Sequence, residues 1–240
     1  MFENPARHAE EKLTAAPALR VCGAMLTALP EGALWWEAER ILVVADLHLE
    51  KGSAFAARGV ALPPYDTRTT LRRLEALAAR LRPARLIALG DSFHDREADV
   101  RMDSADAATL SRLTQQTDWI WIAGNHDPVP PRRFGGTVMS ELRAGPLTFR
   151  HEPLPAPATG EIAGHLHPCA AVRVRGRRLR RRCVASDGTR AILPAFGAYA
   201  GGLNVLDVAY ENLLPATGFH AWMMGAHTVV PVAAHRLEGD

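Results

Sequence analysis

Three apolar runs in the first half of this chain each end in a turn rich in carboxylate, amide and imidazole groups. Ile41-Leu-Val-Val-Ala45 runs into Asp46-Leu47-His48. Arg85-Leu-Ile-Ala-Leu89 runs into Gly90-Asp91-Ser92-Phe93-His94-Asp95, and Trp119-Ile-Trp-Ile-Ala123 into Gly124-Asn125-His126-Asp127. Continuous apolar runs of this length read as strands buried on both faces. A glycine where such a strand ends lets the backbone turn sharply. Helical patterns separate the runs, so the order is β-α-β-α-β, which implies parallel pairing with right-handed crossovers. Ligands of such sheets sit beyond the carboxyl ends of the strands, where all three turns would lie. Any one of these turns is also ordinary turn chemistry, and a D-x-H pair is common by chance. The recurrence separates them from chance. Residues two apart in an extended chain share a side, so Asp46 and His48 can reach one ion together.

The helix before the second run spans about Thr67 to Leu81. Its apolar stripe is Leu71, Leu74, Leu77, Ala78 and Leu81, with Asp66 as expected N-cap. A second helix is expected over about Ser104 to Thr117. Leu49 to Tyr65 reads as a long connection. Residues 1–19 read as a flexible leader before a single domain over 20–240, with a hairpin formed by Val21–Leu26 and Ala33–Trp36. After Pro128 short β-like runs replace helical periodicity: 137–142, 147–150, 161–163, 171–174, 179–184, 190–193 and 203–208. The expected fold is therefore α/β, a sandwich of two mixed sheets flanked by helices. Two turns of this half carry histidine, Arg150-His151-Glu152-Pro153 and Gly164-His165-Leu166-His167-Pro168.

Composition excludes several classes. With 240 residues, 48% hydrophobic and 22% charged, the chain is globular rather than disordered. Three widely spaced cysteines, Cys22, Cys169 and Cys183, argue against a disulfide framework or a zinc ribbon and fit a reducing compartment. The polar start lacks an apolar signal region and no run reaches a membrane span, so a soluble, cytoplasmic protein is expected. The net charge of +2 does not announce a polyanion partner by itself.

The polar turns together supply Asp46, His48, Asp91, Asn125, His151, His165 and His167, with His94 and His126 beside them. Mixed carboxylate, amide and imidazole donors suit Mn, Fe or Zn rather than Ca or Mg. Seven donors exceed one tetrahedral ion and suit two ions about 3.5–4 Å apart, the clamp used in phosphoester hydrolysis. In that arrangement one carboxylate would bridge the ions, and a water between them would lose a proton to become the nucleophile. His126 is placed to protonate the leaving oxygen, and His94 to orient or assist it.

D-x-H, G-D-x-x-H, G-N-H-D, a lone His and G-H-x-H in this order resemble the calcineurin-like metallophosphoesterase superfamily. The resemblance implies that Asp46, His48, Asp91 and His167 hold one metal and that Asp91, Asn125, His151 and His165 hold the other, Asp91 bridging. Asp46 to Ser53, Leu62 to Thr67, Gly160 to Pro168 and Pro194 to Asn204 are further similar to the bacterial ligase-associated DNA damage response endonucleases, the PdeM family. That implies a metal-dependent phosphodiesterase acting on DNA, associated with a DNA ligase and a helicase, with Mn the expected metal. Phosphomonoesterase or cyclic-nucleotide phosphodiesterase activity is the alternative within the superfamily, and a non-catalytic scaffold the alternative outside enzymes.

One basic segment stands apart, Arg173-Val-Arg175-Gly-Arg177-Arg178-Leu-Arg180-Arg181-Arg182. Its apolar residues around Gly176 suggest two short strands and a turn. Guanidinium groups pair bidentately with phosphate, so these arginines are candidate nucleic-acid contacts; a solvated surface hairpin is the plainer alternative.

Overall fold

A computed structural model describes residues 17–60, 62–63 and 65–240. The first sixteen residues of the expected leader lie outside the described residues. Its last part does not behave as a leader: β1 (Ala18–Val21) is a strand, with Leu19 fully buried.

The first sheet has seven strands in chain order: β1, β2 (Ala24–Ala28), β3 (Leu34–Trp36), β4 (Ile41–Ala45), β5 (Arg85–Leu89), β6 (Asp118–Ile122) and β7 (Thr137–Met139). β1 to β4 pair antiparallel, and the run read as one strand from Val21 to Leu26 is split by a turn at Cys22-Gly23. β4, β5, β6 and β7 pair parallel, as the alternation implies. Ala45 faces Leu89 and Leu89 faces Ile122. The three polar turns therefore leave the sheet side by side at one edge.

The second sheet contains β8 (Glu141–Ala144), β9 (Leu147–Arg150), β10 (Glu161–Ala163), β11 (Pro168–Val174), β12 (Arg177–Ser186), β13 (Arg190–Ile192) and β14 (Leu203–Asn204). β15 (His220–Met224) and β16 (Val229–Ala233) join it through β12. β10 runs parallel to both β9 and β13, and most other pairs are antiparallel, so both sheets are mixed.

Alternation along the strands sorts the core into layers. Val43, Ile87, Ile120 and Ile122 face Phe149, Ile162, Val184 and Leu193 of the second sheet. The alternate residues Leu42, Val44, Leu86, Trp119 and Trp121 face helices α2 (Asp66–Leu81) and α4 (Ser104–Gln116) through Leu71, Leu74, Leu77, Leu110 and Leu113. Each such fully buried side chain contributes about 1.5–3 kcal/mol by leaving water. Among the described residues the α-helices flank this first sheet. The outer face of the second is covered instead by Val205, Tyr210, Leu213, Leu214 and Phe219, from a largely irregular segment.

Two local expectations are corrected. The connection after Leu49 contains a helix, α1 (Lys51–Ala57), and a further short helix α3 (Ala98–Arg101) precedes α4. Asp66 is the first helical residue of α2 rather than its cap, which is Tyr65. Its buried carboxylate is committed elsewhere, accepting from the Gly52 N–H in the first turn of α1 at 2.9 Å. That satisfies one of the donors a helix start leaves open.

Candidate metal centre

The edge where β4, β5 and β6 end is closed from the second sheet. Ala45 bridges Ala195, the Phe196 N–H donates to Ala45 O at 2.7 Å, and the Gly164 N–H donates to His151 O at 2.9 Å. The turns of both sheets meet there. Asp46, His48 and His167 form one group whose nitrogen and oxygen atoms lie within 4.8 Å of one another; Asp91, His151 and His165 form another. The groups touch, since His151 Nδ1 lies 3.8 Å from Asp46 Oδ1. Asn125 joins the second group with Oδ1 2.9 Å from His151 Nε2.

The backbone bends sharply to achieve this. Asp46, His48, Asp91, His165 and His167 all have positive φ, between 44° and 70°. Residues other than glycine rarely adopt that region, and such strain concentrates at functional sites. Gly124 is needed for another reason: a Cβ there would fall 2.2 Å from Asp91 N and 2.3 Å from Asp91 Oδ1. Only a bare backbone lets the β6 turn close over Asp91.

The ligand atoms of the two groups converge on one another. His151 Nδ1 donates to Leu89 O at 2.9 Å, which leaves Nε2 as a lone pair. That lone pair faces His165 Nδ1 at 3.2 Å, Asn125 Oδ1, and Asp91 Oδ1 at 3.5 Å. In the other group His48 Nε2 and His167 Nε2 are 3.3 Å apart, with Asp46 Oδ1 3.3 Å from His167 Nε2. Asp46 Oδ1 is buried with no hydrogen-bond partner. Burial, then His167 and Lys51, push the His48 imidazole down to about 2, so it stays neutral. Buried acceptors facing one another are costly unless a cation lies between them, and this oxygen and nitrogen set fits divalent metal ions.

His126 and His94 stand at the mouth. The His126 N–H donates to Asp91 Oδ1 at 2.9 Å, and its Nε2 lies 4.0 Å from Asp91 Oδ2 on a side chain 42% exposed. His126 Nδ1 donates to the His94 carbonyl at 2.9 Å, and the rings stack with centroids 5.5 Å apart. His94 thus orients His126 through a backbone oxygen as well as its ring. Burial, followed by Lys51, lowers the His94 pKa.

Asp127 was not among the candidate residues, yet it fixes the loop. Its buried Oδ2 accepts from Ser92 N at 2.9 Å and Phe93 N at 3.1 Å, holding the turn that carries Asp91. Burial first, with Asp91 adding, pushes its carboxyl up to about 7 against those N–H bonds. The only sequence signal was its place closing Gly-Asn-His-Asp. Arg73 also escaped notice: its guanidinium lies over the Phe196 ring at 4.4 Å and bonds Phe196 O, gripping the loop behind Asp46.

The arginine segment is a hairpin, as expected, with Val174 facing Arg177 across the turn. Its arginines are not alike. Arg173 pairs with Glu238 at 2.9 Å, and Arg178 with Asp240 at 2.7 Å. Arg180 reaches Asp240 at 3.4 Å and Gly202 O at 2.6 Å. Arg182 turns inward, half-buried, donating to Ala195 O at 2.9 Å. Arg175, Arg177 and Arg181 are exposed, and no carboxylate pairs with them among the described residues.

The nuclease MPE from Pseudomonas putida is 31% identical, with TM-score 0.69, over 90% of this chain and 99% of that chain. YfcE, a phosphoesterase from E. coli, is 13% identical with TM-score 0.40, covering 81% of this chain and 98% of that chain, a likeness too loose to bear on the site. No curated protein matches the chain in sequence. A family model for calcineurin-like phosphoesterases matches residues 39–180, more than half of the chain and every candidate metal-binding residue. The chain belongs to the calcineurin-like phosphoesterase family.

Proposed function

We propose that this phosphoesterase is a two-metal phosphodiesterase that cuts DNA. The observation that carries the reading is the pair of touching acceptor groups, buried and short of protons, at the shared edge of β4, β5 and β6. Asp46, His48 and His167 would hold one ion and Asn125, His151 and His165 the other. Asp91, with one oxygen near His151 and the other toward His126, would be the carboxylate that bridges them. Two bound divalent ions supply Lewis acidity that acidifies water and neutralises charge on the phosphoryl oxygens. Asp91 also receives the His126 N–H, which fixes the β6 turn relative to the centre. The His94 carbonyl holds Nδ1 of His126, so a proton delivered to a leaving oxygen comes from the exposed Nε2. Asp127 keeps Asp91 in register by holding two N–H groups of its turn.

DNA as substrate is supported by the similarity to a nuclease. Manganese as the working metal, a role in DNA repair beside a ligase and a helicase, and a cytoplasmic location complete the proposal. Among the described residues no helix is long and apolar enough to cross a membrane. The test is a manganese-reconstituted assay with an aryl phosphodiester, an aryl phosphomonoester, and single- and double-stranded DNA. The expected result is cleavage of the diester and of DNA, abolished by EDTA. Turnover in chelated, metal-free protein, or hydrolysis of the monoester alone, would contradict it.

A further inference from the structure

An open cavity of about 540 Å³ lies beside the arginine hairpin, lined by Cys169, Arg180, Arg181, Arg182, Gly201 and Gly202 among others. Its lining residues include three arginines and no carboxylate. Cys169 is two residues beyond His167, and the Leu203 N–H donates to His167 O at 3.1 Å, so strand and loop both lead from the cavity to the first acceptor group. Arg182 and Arg180 spend only part of their donors on Ala195 O and Gly202 O. A guanidinium carries five N–H donors, so each retains capacity for a further acceptor.

Beside this cavity the hairpin already holds anions from the chain itself, Asp240 on the lining residue Arg180 and Glu238 on the neighbouring Arg173. The Glu238 N–H donates to Ala171 O at 2.8 Å, and Asn204 Nδ2 donates to Glu238 O at 3.0 Å. This seats the segment along β11, with the Glu238 carboxylate on Arg173 and the Asp240 carboxylate on Arg178 and Arg180. The side chains of Arg178 and Asp240 are 37% and 54% exposed. Exposed pairs of this kind contribute little and are weakened by salt, so a phosphate can replace the carboxylate.

We propose that the arginine cavity is a subsite for a backbone phosphate of a nucleic-acid strand held at the metal centre, and that Glu238 and Asp240 compete with that strand for the hairpin arginines in and beside it. The proposal rests on the nuclease reading and deepens it. Phosphate contacts of this sort set the position of a strand without reading its sequence. Arg181 is exposed, gives one N–H to Arg180 O at 2.9 Å and pairs with no carboxylate among the described residues, so its remaining donors gain most from an incoming phosphate.

The two sets of groups should respond with opposite signs. Binding of a nuclease-resistant phosphorothioate single strand to the manganese-loaded protein is followed by fluorescence anisotropy over a salt series. Arg181→Ala should weaken binding by about three- to tenfold and flatten the plot of log affinity against log salt by about 0.7. Glu238→Gln with Asp240→Asn should tighten binding by about threefold. That variant should hydrolyse a small aryl phosphodiester at the wild-type rate. Unchanged affinity and slope in Arg181→Ala, or no tightening in the Glu238→Gln, Asp240→Asn variant, would overturn the subsite while ordinary DNA is still cut. The expected shifts in a protein that never cuts ordinary DNA would instead contradict the nuclease reading alone.

Discussion

The centre at the ends of β4, β5 and β6 and the hairpin of β11 and β12 are both dense in polar groups, and they are built on opposite plans. In the first, buried acceptors meet acceptors, and Asp46 Oδ1 has no partner. In the second, exposed donors gather, and Glu238 and Asp240 supply part of the answering charge. A buried set without its counter-charge is costly and must be completed by something outside the chain. An exposed set that pairs with its own chain has a resting state. The first therefore behaves as a cofactor site, and the second as a surface whose occupancy is a competition.

Asp91→Asn should break the first region most severely. Removing the carboxylate proposed to bridge the two ions should release both and lower turnover by at least about a thousandfold. Metal content of the purified variant checks the first half; two retained ions would refute the bridging role. His126→Ala should lower kcat by about 10²–10⁴-fold while both ions stay bound, measured by turnover beside metal analysis. Asp127→Asn sharpens the contrast between holding the loop and holding metal. The substitution should cost about 10–100-fold in metal affinity or activity, although Asp127 belongs to neither acceptor group and acts on the turn that carries Asp91.

Asp127 also predicts a pH effect in metal-free protein. Its folded pKa is raised to about 7, from 3.8, so the folded state binds its proton more tightly than the unfolded chain does. The stability it contributes is therefore full below pH 3.8 and is lost as pH rises toward 7. Denaturant midpoints across that window should fall less steeply in Asp127→Asn than in wild type. The smallest effect belongs to the hairpin. Gly176 has φ 77° with open space around its Cβ position, so Gly176→Ala should cost only about 1 kcal/mol of backbone strain and leave metal content unchanged.

The parallel centre of the first sheet was legible because β4, β5 and β6 are buried on both faces and read as continuous apolar runs, whereas β1, read in part as leader, and β7, read together with β8 as one run, were not. Their parallel register then placed Asp46, Asp91 and Asn125 together without further information. α1 was not legible: Lys51-Gly-Ser-Ala-Phe-Ala-Ala57 is a weak helix former by propensity, and its first turn is supported by Asp66, fourteen residues on. β16 was hidden by Pro231, which suits an outermost strand but argues against a strand from sequence. The orienting bond from His94 comes from a carbonyl, which every residue carries and no pattern marks. Arg182 read as one of seven equivalent arginines. Its strand register opposite Cys169 and its bond to Ala195 O set it apart, and both depend on long-range pairing.

The central claim is that two divalent ions complete the acceptor groups. Anomalous scattering from crystals of the manganese-loaded protein measures this directly. The account predicts two manganese peaks, one among Asp46, His48 and His167 and one among Asp91, Asn125, His151 and His165. A single peak at saturating manganese, or peaks away from these residues, would contradict it.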